Sequence, residues 1–196
     1  RQGDLIPFDI AIHGALMKSG NDAAAVLALF AADNMSDAVA LMNKEAKSLG
    51  ATESNFVNPH GLYNDNHYTT VYDLYLIFNE AIKYSKFVDT LSCMKYTGSF
   101  TRKTAYGDYS IGCSYTNSNG FLTGSYATPD GIKVYGGKAG YTEVARRSYV
   151  MLAESNNGHK YIIITMRAES NSLMYKDLSA LLNKIPVDKK SYADNE

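Results

Sequence analysis

The sequence predicts an α+β protein, α/β in the broad sense, with a helical first half, an antiparallel sheet and a closing helix. Three observations carry this reading. Apolar residues recur at helical spacing, between caps and stops, from Ile10 to Ile82. From about residue 95, short β-rich runs take over, punctuated by Gly and Asn. Helical spacing returns at Ser172 and lasts to Ile185.

Pro7 and Asp9 stand where a helix can start, and the segment from Ile10 to Met17 is mostly apolar. Asn21-Asp22 is suited to cap a second helix from Ala23 to Ala32, a run that is apolar on every face. A helix of that kind is expected to be buried. Ser19 and Asn21 are therefore expected at the mouth of a buried helix, a rigid mount for polar groups. A third helix starts near Ser36, with Ala38, Leu41, Met42, Ala46 and Leu49 in phase and Gly50 as its stop. The polar loop Phe56-Val57-Asn58-Pro59-His60-Gly61-Leu62 follows. In the fourth helix Thr70 with Asp73 resembles a capping box, and Val71, Leu74, Phe78, Ala81 and Ile82 form the apolar stripe. The clearest strands are Tyr149 to Ala153 and Tyr161 to Thr165, with a hairpin signalled by Asn156-Asn157-Gly158. The final helix, Ser172 to Ile185, carries Leu178, Leu181, Leu182 and Ile185 on one face and is ended by Pro186. The expected organisation is one domain over 1–188, with a helical lobe over about 1–95, sheet and last helix over about 96–188, and a polar tail or linker at 189–196.

A chain of 196 residues is enough for one domain with a sizeable core. A formal net charge of -1 argues against nucleic acid or an anionic membrane as partner, since both need a basic excess. No apolar run approaches the length of a membrane span, and no signal peptide is visible. Cys93 and Cys113 are too few for a disulfide framework and are either one bridge or two thiols. His13, His60, His67 and His159 are scattered, so no metal site is expected.

Four stretches carry chemistry when taken in order. They are Met17-Lys18-Ser19-Gly20-Asn21-Asp22-Ala23-Ala24, then the 56–62 loop with His67-Tyr68-Thr69-Thr70 and Asp73-Leu74, then Asn117-Ser118-Asn119, then Gly136-Gly137-Lys138-Ala139-Gly140-Tyr141-Thr142. A lone Ser-x-Asn is uninformative, but four stretches in a fixed order are not. Together they resemble the penicillin-binding D-alanyl-D-alanine carboxypeptidases. Ser19-Gly20-Asn21 is similar to that family's Ser-x-Asn box, and Lys138-Ala139-Gly140 to its Lys-Thr-Gly box. The resemblance implies a β-lactamase/transpeptidase-like fold, a helical lobe on an antiparallel sheet flanked by helices, with the active site between them. The family's Ser-x-x-Lys box supplies nucleophile and base and would stand before Ser19, where residues 1–18 contain no Ser. The opening strands and nucleophile helix are therefore expected outside this chain, in a missing N-terminal segment or in another chain that supplies them.

The reaction implied is removal of the terminal D-Ala from peptidoglycan stem peptides through an acyl-enzyme, with β-lactams binding the same site. It needs a nucleophile, a base, a proton path to the leaving amine and stabilisation of the oxyanion. By resemblance, Ser19 would relay a proton to the leaving D-Ala, a task that suits a hydroxyl because it donates and accepts. Asn21 would hold the substrate amide, and Lys138 would supply positive charge for the terminal carboxylate and orient Ser19. Ala139, Gly140, Tyr141 and Thr142 would form the substrate-binding stretch, with the Tyr141 backbone N–H as oxyanion donor. Ala139 departs from the family, which has Thr there to contact the substrate carboxylate. Losing a hydrogen bond to a charged group costs about 1.5–3 kcal/mol, and Thr142 is the residue expected to make up part of it. Read without the resemblance, Ser19 and Asn21 are helix caps and Lys138 a solvated strand-end lysine.

No cofactor is implied, and the substrate implies an extracytoplasmic, bacterial, secreted or cell-envelope location. The alternative is a non-catalytic protein with a decayed site that docks cell-wall peptides or a partner. A class A β-lactamase fits less well, since no candidate for its deacylating Glu is found. Ser92-Cys93-Met94-Lys95 spells Ser-x-x-Lys but lies between the other two boxes, at the end of the helical lobe, and is read as a chance match. His60, His67 and Asp73 are read as structural, since a serine–lysine scheme leaves no task for a histidine base.

Overall fold

Residue 1 and residues 3–188 are described by the structure, a computed structural model. The helical lobe contains α1 (Phe8–Lys18), α2 (Asn21–Ala31), α3 (Met35–Ser48), α4 (Val71–Ala81) and α5 (Ser85–Ser92). Helix α1 ends where Ser19 takes a left-handed conformation, φ 54°, and the Gly20 N–H returns to the Gly14 carbonyl at 3.1 Å. This reversal lets α2 begin at Asn21. Gly14 then permits a close crossing, since a Cβ there would meet the Ala23 Cβ at 3.1 Å. Helix α3 is capped by Asn34, whose side chain accepts from the Asp37 N–H at 3.0 Å, and Gly50 stops it with φ +86°.

Four expectations need correction. Helix α2 is not buried: none of its residues is, and Leu29 and Phe30 are 51% and 54% exposed. Helices α1 and α3 cover only part of its surface, and Leu27, Ala28 and Ala31 line an open cleft. Asn21 is not a cap but the first helical residue, after an N-cap Gly20 with no side-chain cap bond. The capping box at α4 is half formed. Thr70 Oγ1 accepts from the Asp73 N–H at 3.1 Å, but the Asp73 carboxylate accepts from the Glu53 N–H and Ser54 Oγ at 2.9 and 2.6 Å. It thereby ties the 51–56 segment to α4. Val71, assigned to the apolar stripe, is half exposed.

The second half holds the hairpin β1 (Lys95–Thr104) and β2 (Gly107–Thr116), then β3 (Ile132–Thr142), β4 (Arg146–Ser155) and β5 (Lys160–Ala168) in an antiparallel sheet of order β3-β4-β5. Helix α6 (Asn171–Leu182) closes it, capped by Ser170. Strand alternation gives the sheet two apolar faces. Tyr149, Met151 and Ala153 pack with Met174, Tyr175, Leu178 and Leu182 of α6. Leu152, between them, packs with Phe78 and Leu91 of the helical lobe. The α+β architecture is thus the expected one, helices on both faces of an antiparallel sheet. The expected tail at 189–196 lies outside the described residues.

Strand β3 is held against the end of α5 by an unusually close backbone approach. The register shifts between Val134 and Gly136, and Gly136 has φ +123°. A Cβ on Gly136 would stand 2.3 Å from the Leu91 carbonyl oxygen, and one on Gly137 would stand 2.2 Å from that of Val150. Asn117 secures the same junction, its Nδ2 donating to the Leu91 and Cys93 carbonyls at 3.0 Å each. Asn119, 3% exposed, donates to the Tyr149 hydroxyl at 2.7 Å and accepts from the Phe121 and Leu122 N–H groups. The Asn117-Ser118-Asn119 stretch therefore ties the end of α5 to β4, the strand paired with β3. Cys93 and Cys113 are both free thiols.

Candidate active site

Strand β3 is the edge of its sheet, and that edge faces the helical lobe across a cleft of about 1060 Å³. Ser19, Asn21 and Leu27 line the cleft from α1 and α2; Asn58, His60 and His67 from the loop; Lys138, Ala139, Gly140 and Tyr141 from β3. Residues far apart in the chain thus meet in one place.

The two boxes touch directly. Lys138 Nζ donates to Ser19 Oγ at 2.5 Å and also to the Ala139 carbonyl. The left-handed backbone of Ser19 puts its hydroxyl on the β3 side of the α1–α2 turn. Burial pushes the Lys138 pKa below its ordinary value, because the ammonium gives up hydration on entering the cleft. The backbone of Ser19 forms the C-cap of α1, while its hydroxyl is bound across the cleft. Asn21 stands one residue beyond Gly20 on the same wall.

Cross-strand pairing sorts the rest of β3. Lys138 is opposite Val150, Ala139 opposite Tyr149, and Tyr141 opposite Arg147. Paired residues share a face, so Lys138 lies on the helical-lobe side, and Ala139, Tyr141 and Arg147 on the α6 side. Both sides reach the cleft because β3 is an edge strand, and Asn171 and Met174 of α6 line its far end. Thr142 is not among the lining residues. Its Oγ1 accepts from the Ala145 N–H at 3.0 Å and secures the β3–β4 turn.

His60 and His67 line the cleft, yet form no triad with Asp73, whose carboxylate is taken by Glu53 and Ser54. Each imidazole accepts a backbone N–H at Nδ1, from Leu62 for His60 at 3.3 Å and from Val57 for His67 at 3.2 Å. Accepting at Nδ1 leaves the proton of the neutral ring on Nε2. Burial lowers the His67 pKa, and the nearby His60 adds to the effect. Ser92 is outside the cleft lining, at the C-terminal end of α5, with its hydroxyl donating to the Val88 and Asp89 carbonyls. Sequence reasoning missed Arg147, Asn171 and Met174. Only strand register and helix docking bring them to the cleft, and a linear motif holds no signal for either.

A helical lobe packed against an antiparallel sheet, with a Ser–Lys contact between them, defines the β-lactamase/transpeptidase-like class of serine DD-peptidase folds. The D-alanyl-D-alanine carboxypeptidase family profile matches residues 3–170, and the chain belongs to that penicillin-binding family of serine hydrolases. It is 32% identical to the D-alanyl-D-alanine carboxypeptidase DacF of Bacillus subtilis over 151 residues, 76% of this chain and 34% of the relative. It is likewise 32% identical to DacA of Escherichia coli over 155 residues, 74% of this chain and 34% of the relative. Among solved structures, the Streptomyces K15 DD-transpeptidase superimposes with a TM-score of 0.78 at 25% identity, covering 92% of this chain and 68% of that one. The D-alanyl-D-alanine carboxypeptidase of Mycobacterium tuberculosis H37Rv gives 0.71 at 26% identity, covering 91% and 63%. The chain spans about a third of the length of the curated relatives it matches.

Proposed function

We propose that this chain forms the receiving side of a serine-type D-Ala-D-Ala carboxypeptidase site that acts on peptidoglycan stem peptides and binds β-lactams, outside the cytoplasm. The nucleophile and its base come from a Ser-x-x-Lys segment outside these 196 residues. The nucleophilic hydroxyl attacks the carbonyl of the penultimate D-Ala, and its proton passes to the Lys of that segment. The Tyr141 backbone N–H stabilises the oxyanion. As the intermediate collapses, the C–N bond breaks and the leaving amine takes a proton through Ser19. Water then hydrolyses the ester. Asn21 holds the substrate amide, Gly140 lets the peptide approach the β3 edge, and Lys138 orients Ser19 and lends positive charge to the carboxylate end.

The observation that carries this reading is the 2.5 Å Lys138–Ser19 hydrogen bond between the two lobes. A partly desolvated amine held on a hydroxyl is suited to proton relay, whereas a fully solvated strand-end lysine would not be held on Ser19. Ala139 favours the alternative of a non-catalytic binder, because it removes a contact without leaving another in its place at that position.

Reconstitution separates the two. The chain alone, incubated with penicillin, is expected to show no covalent adduct by intact-mass spectrometry. Mixed with a Ser-x-x-Lys-bearing segment taken from a relative, it is expected to form the adduct on that segment and to release D-Ala, with Lys138→Ala lowering both. An adduct on Ser92 of the chain alone would overturn the assignment of the nucleophile. Tight binding of segment and peptide without any D-Ala release would favour the non-catalytic reading.

A further inference from the structure

We propose that an exposed tyrosine stripe on α4 binds a glycan strand of N-acetylated sugars, at a site outside the cleft. The choice of ligand rests on the functional reading above, in which the cleft takes a stem peptide carried by such a strand. Helix α4 has two unlike faces. On the inner one, Leu74 lines the cleft and Phe78 packs with Leu91 and Leu152. Tyr72, Tyr75 and Asn79, spaced i, i+3 and i+7, share the other side. Tyr72 is 65% exposed and Tyr75 40%, and Tyr68, which leads into the helix, is 55% exposed.

The stripe offers aromatic faces and hydrogen-bonding groups but no uncommitted charge. The Tyr72 and Tyr75 rings lie 6.0 Å apart with 30° between their planes. Among the described residues neither hydroxyl makes a hydrogen bond, nor does the Asn79 side-chain amide, whereas the Tyr63 hydroxyl donates to Asp65. The acidic groups of α4 are engaged elsewhere, Asp73 by the Glu53 N–H and Ser54, and Glu80 by Lys83 at 2.6 Å. Such a face has nothing to hold an anionic polymer or an anionic lipid surface, which both call for basic side chains. A purely apolar partner would strand the hydroxyls. A pyranose ring meets both demands. Its C–H face lies against the negative face of an aromatic ring, and its hydroxyl and acetamido groups exchange hydrogen bonds with tyrosine hydroxyls and an amide. Position favours the same occupant. His67 and Leu74 line the cleft, while Tyr68 and Tyr75, each next in sequence, stand outside its lining, so the stripe begins where the cleft wall ends. A peptide seated in the cleft leaves over this wall toward the sugar that carries it.

Calorimetry on the full 196-residue chain tests this with an N-acetylglucosamine hexamer, which carries no peptide. The unmodified chain is expected to bind it. Tyr72→Ala and Tyr75→Ala are each expected to weaken binding about tenfold, the effect of truncating one anchoring aromatic. Both are surface changes and are expected to melt with the parent. Tyr106→Ala, in the exposed turn of the β1–β2 hairpin, is expected to leave binding unchanged. No binding of the hexamer by the unmodified chain, a result that needs no variant, would overturn the assignment. So would binding that Tyr72→Ala and Tyr75→Ala both leave intact. Adsorption to phosphatidylethanolamine–phosphatidylglycerol vesicles, or dimers in sedimentation, that depend on Tyr72 and occur without hexamer binding would overturn it in favour of a membrane or a second copy of this chain. N-acetyl-D-alanyl-D-alanine, titrated into the same protein, reads the cleft separately. Peptide binding without hexamer binding removes the glycan site and leaves the functional reading standing. Hexamer binding without peptide binding removes the functional reading and leaves the stripe a glycan site.

Discussion

Lys138 is the residue on which the site turns. It reaches from the sheet to the helical lobe, and its burial lowers its pKa. The charge is present below that pKa and is lost as pH rises through it. Affinity for an anionic peptide is therefore expected to fall on the alkaline side at a lower pH than an exposed lysine would give. Lys138→Arg, which stays charged throughout, is expected to flatten that limb. Calorimetric affinities across the alkaline range check this; parallel profiles for the two proteins would mean that Lys138 does not contribute to the anion site. Ser19 and Lys138 were legible from residue order alone, because each is embedded in a recognisable box. Asn21 belongs to the same box and lines the cleft, and its expected capping role is not taken up. Arg147 was not legible, since nothing in Arg146-Arg147-Ser148 says that residue 147 will sit opposite Tyr141. Thr142 Oγ1 accepts a backbone N–H in the β3–β4 turn, a contact that residue order does not disclose.

Among the elements, β3 carries the tightest constraint. Gly136 stands in left-handed space beneath the Leu91 carbonyl, in a position that no side chain enters without displacing backbone. Gly136→Ala is expected to destabilise the chain by more than about 2 kcal/mol, combining backbone strain with a clash against the end of α5. Chemical denaturation measures it, and a loss below about 0.5 kcal/mol would mean that the β3–α5 junction relaxes freely. The glycines were visible in the sequence as part of a box, but their mechanical task was not. Helix α5 escaped notice because eight residues give too few periods to read. Helix α2 shows the opposite failure. Its composition reads as a core helix, yet much of its surface borders the open cleft. Hydrophobic pattern reports what a surface favours, and what covers it is a separate matter.

For the whole molecule, the consequence is an apolar wall along the cleft, made by Leu27, Ala28 and Ala31, with Leu29 and Phe30 exposed nearby. Burying a Leu or Phe side chain contributes on the order of 1.5–3 kcal/mol. The Ser-x-x-Lys segment of the reconstitution experiment is therefore expected to raise the melting temperature of this chain as well as to complete its chemistry. Differential scanning calorimetry checks it; an unchanged Tm at saturating segment would mean that the wall is covered in some other way, or not at all. The division into a helical and a sheet half, and the order of the boxes, were determined by the sequence itself. Periodicity and motif order are local properties, held in neighbouring residues. Which residues face each other across the cleft was decided by the tertiary structure. The Lys138–Ser19 contact, the approach of Arg147 to the Ala139 face and the exposure of α2 all depend on strand register and lobe packing, which arise between segments far apart in the chain.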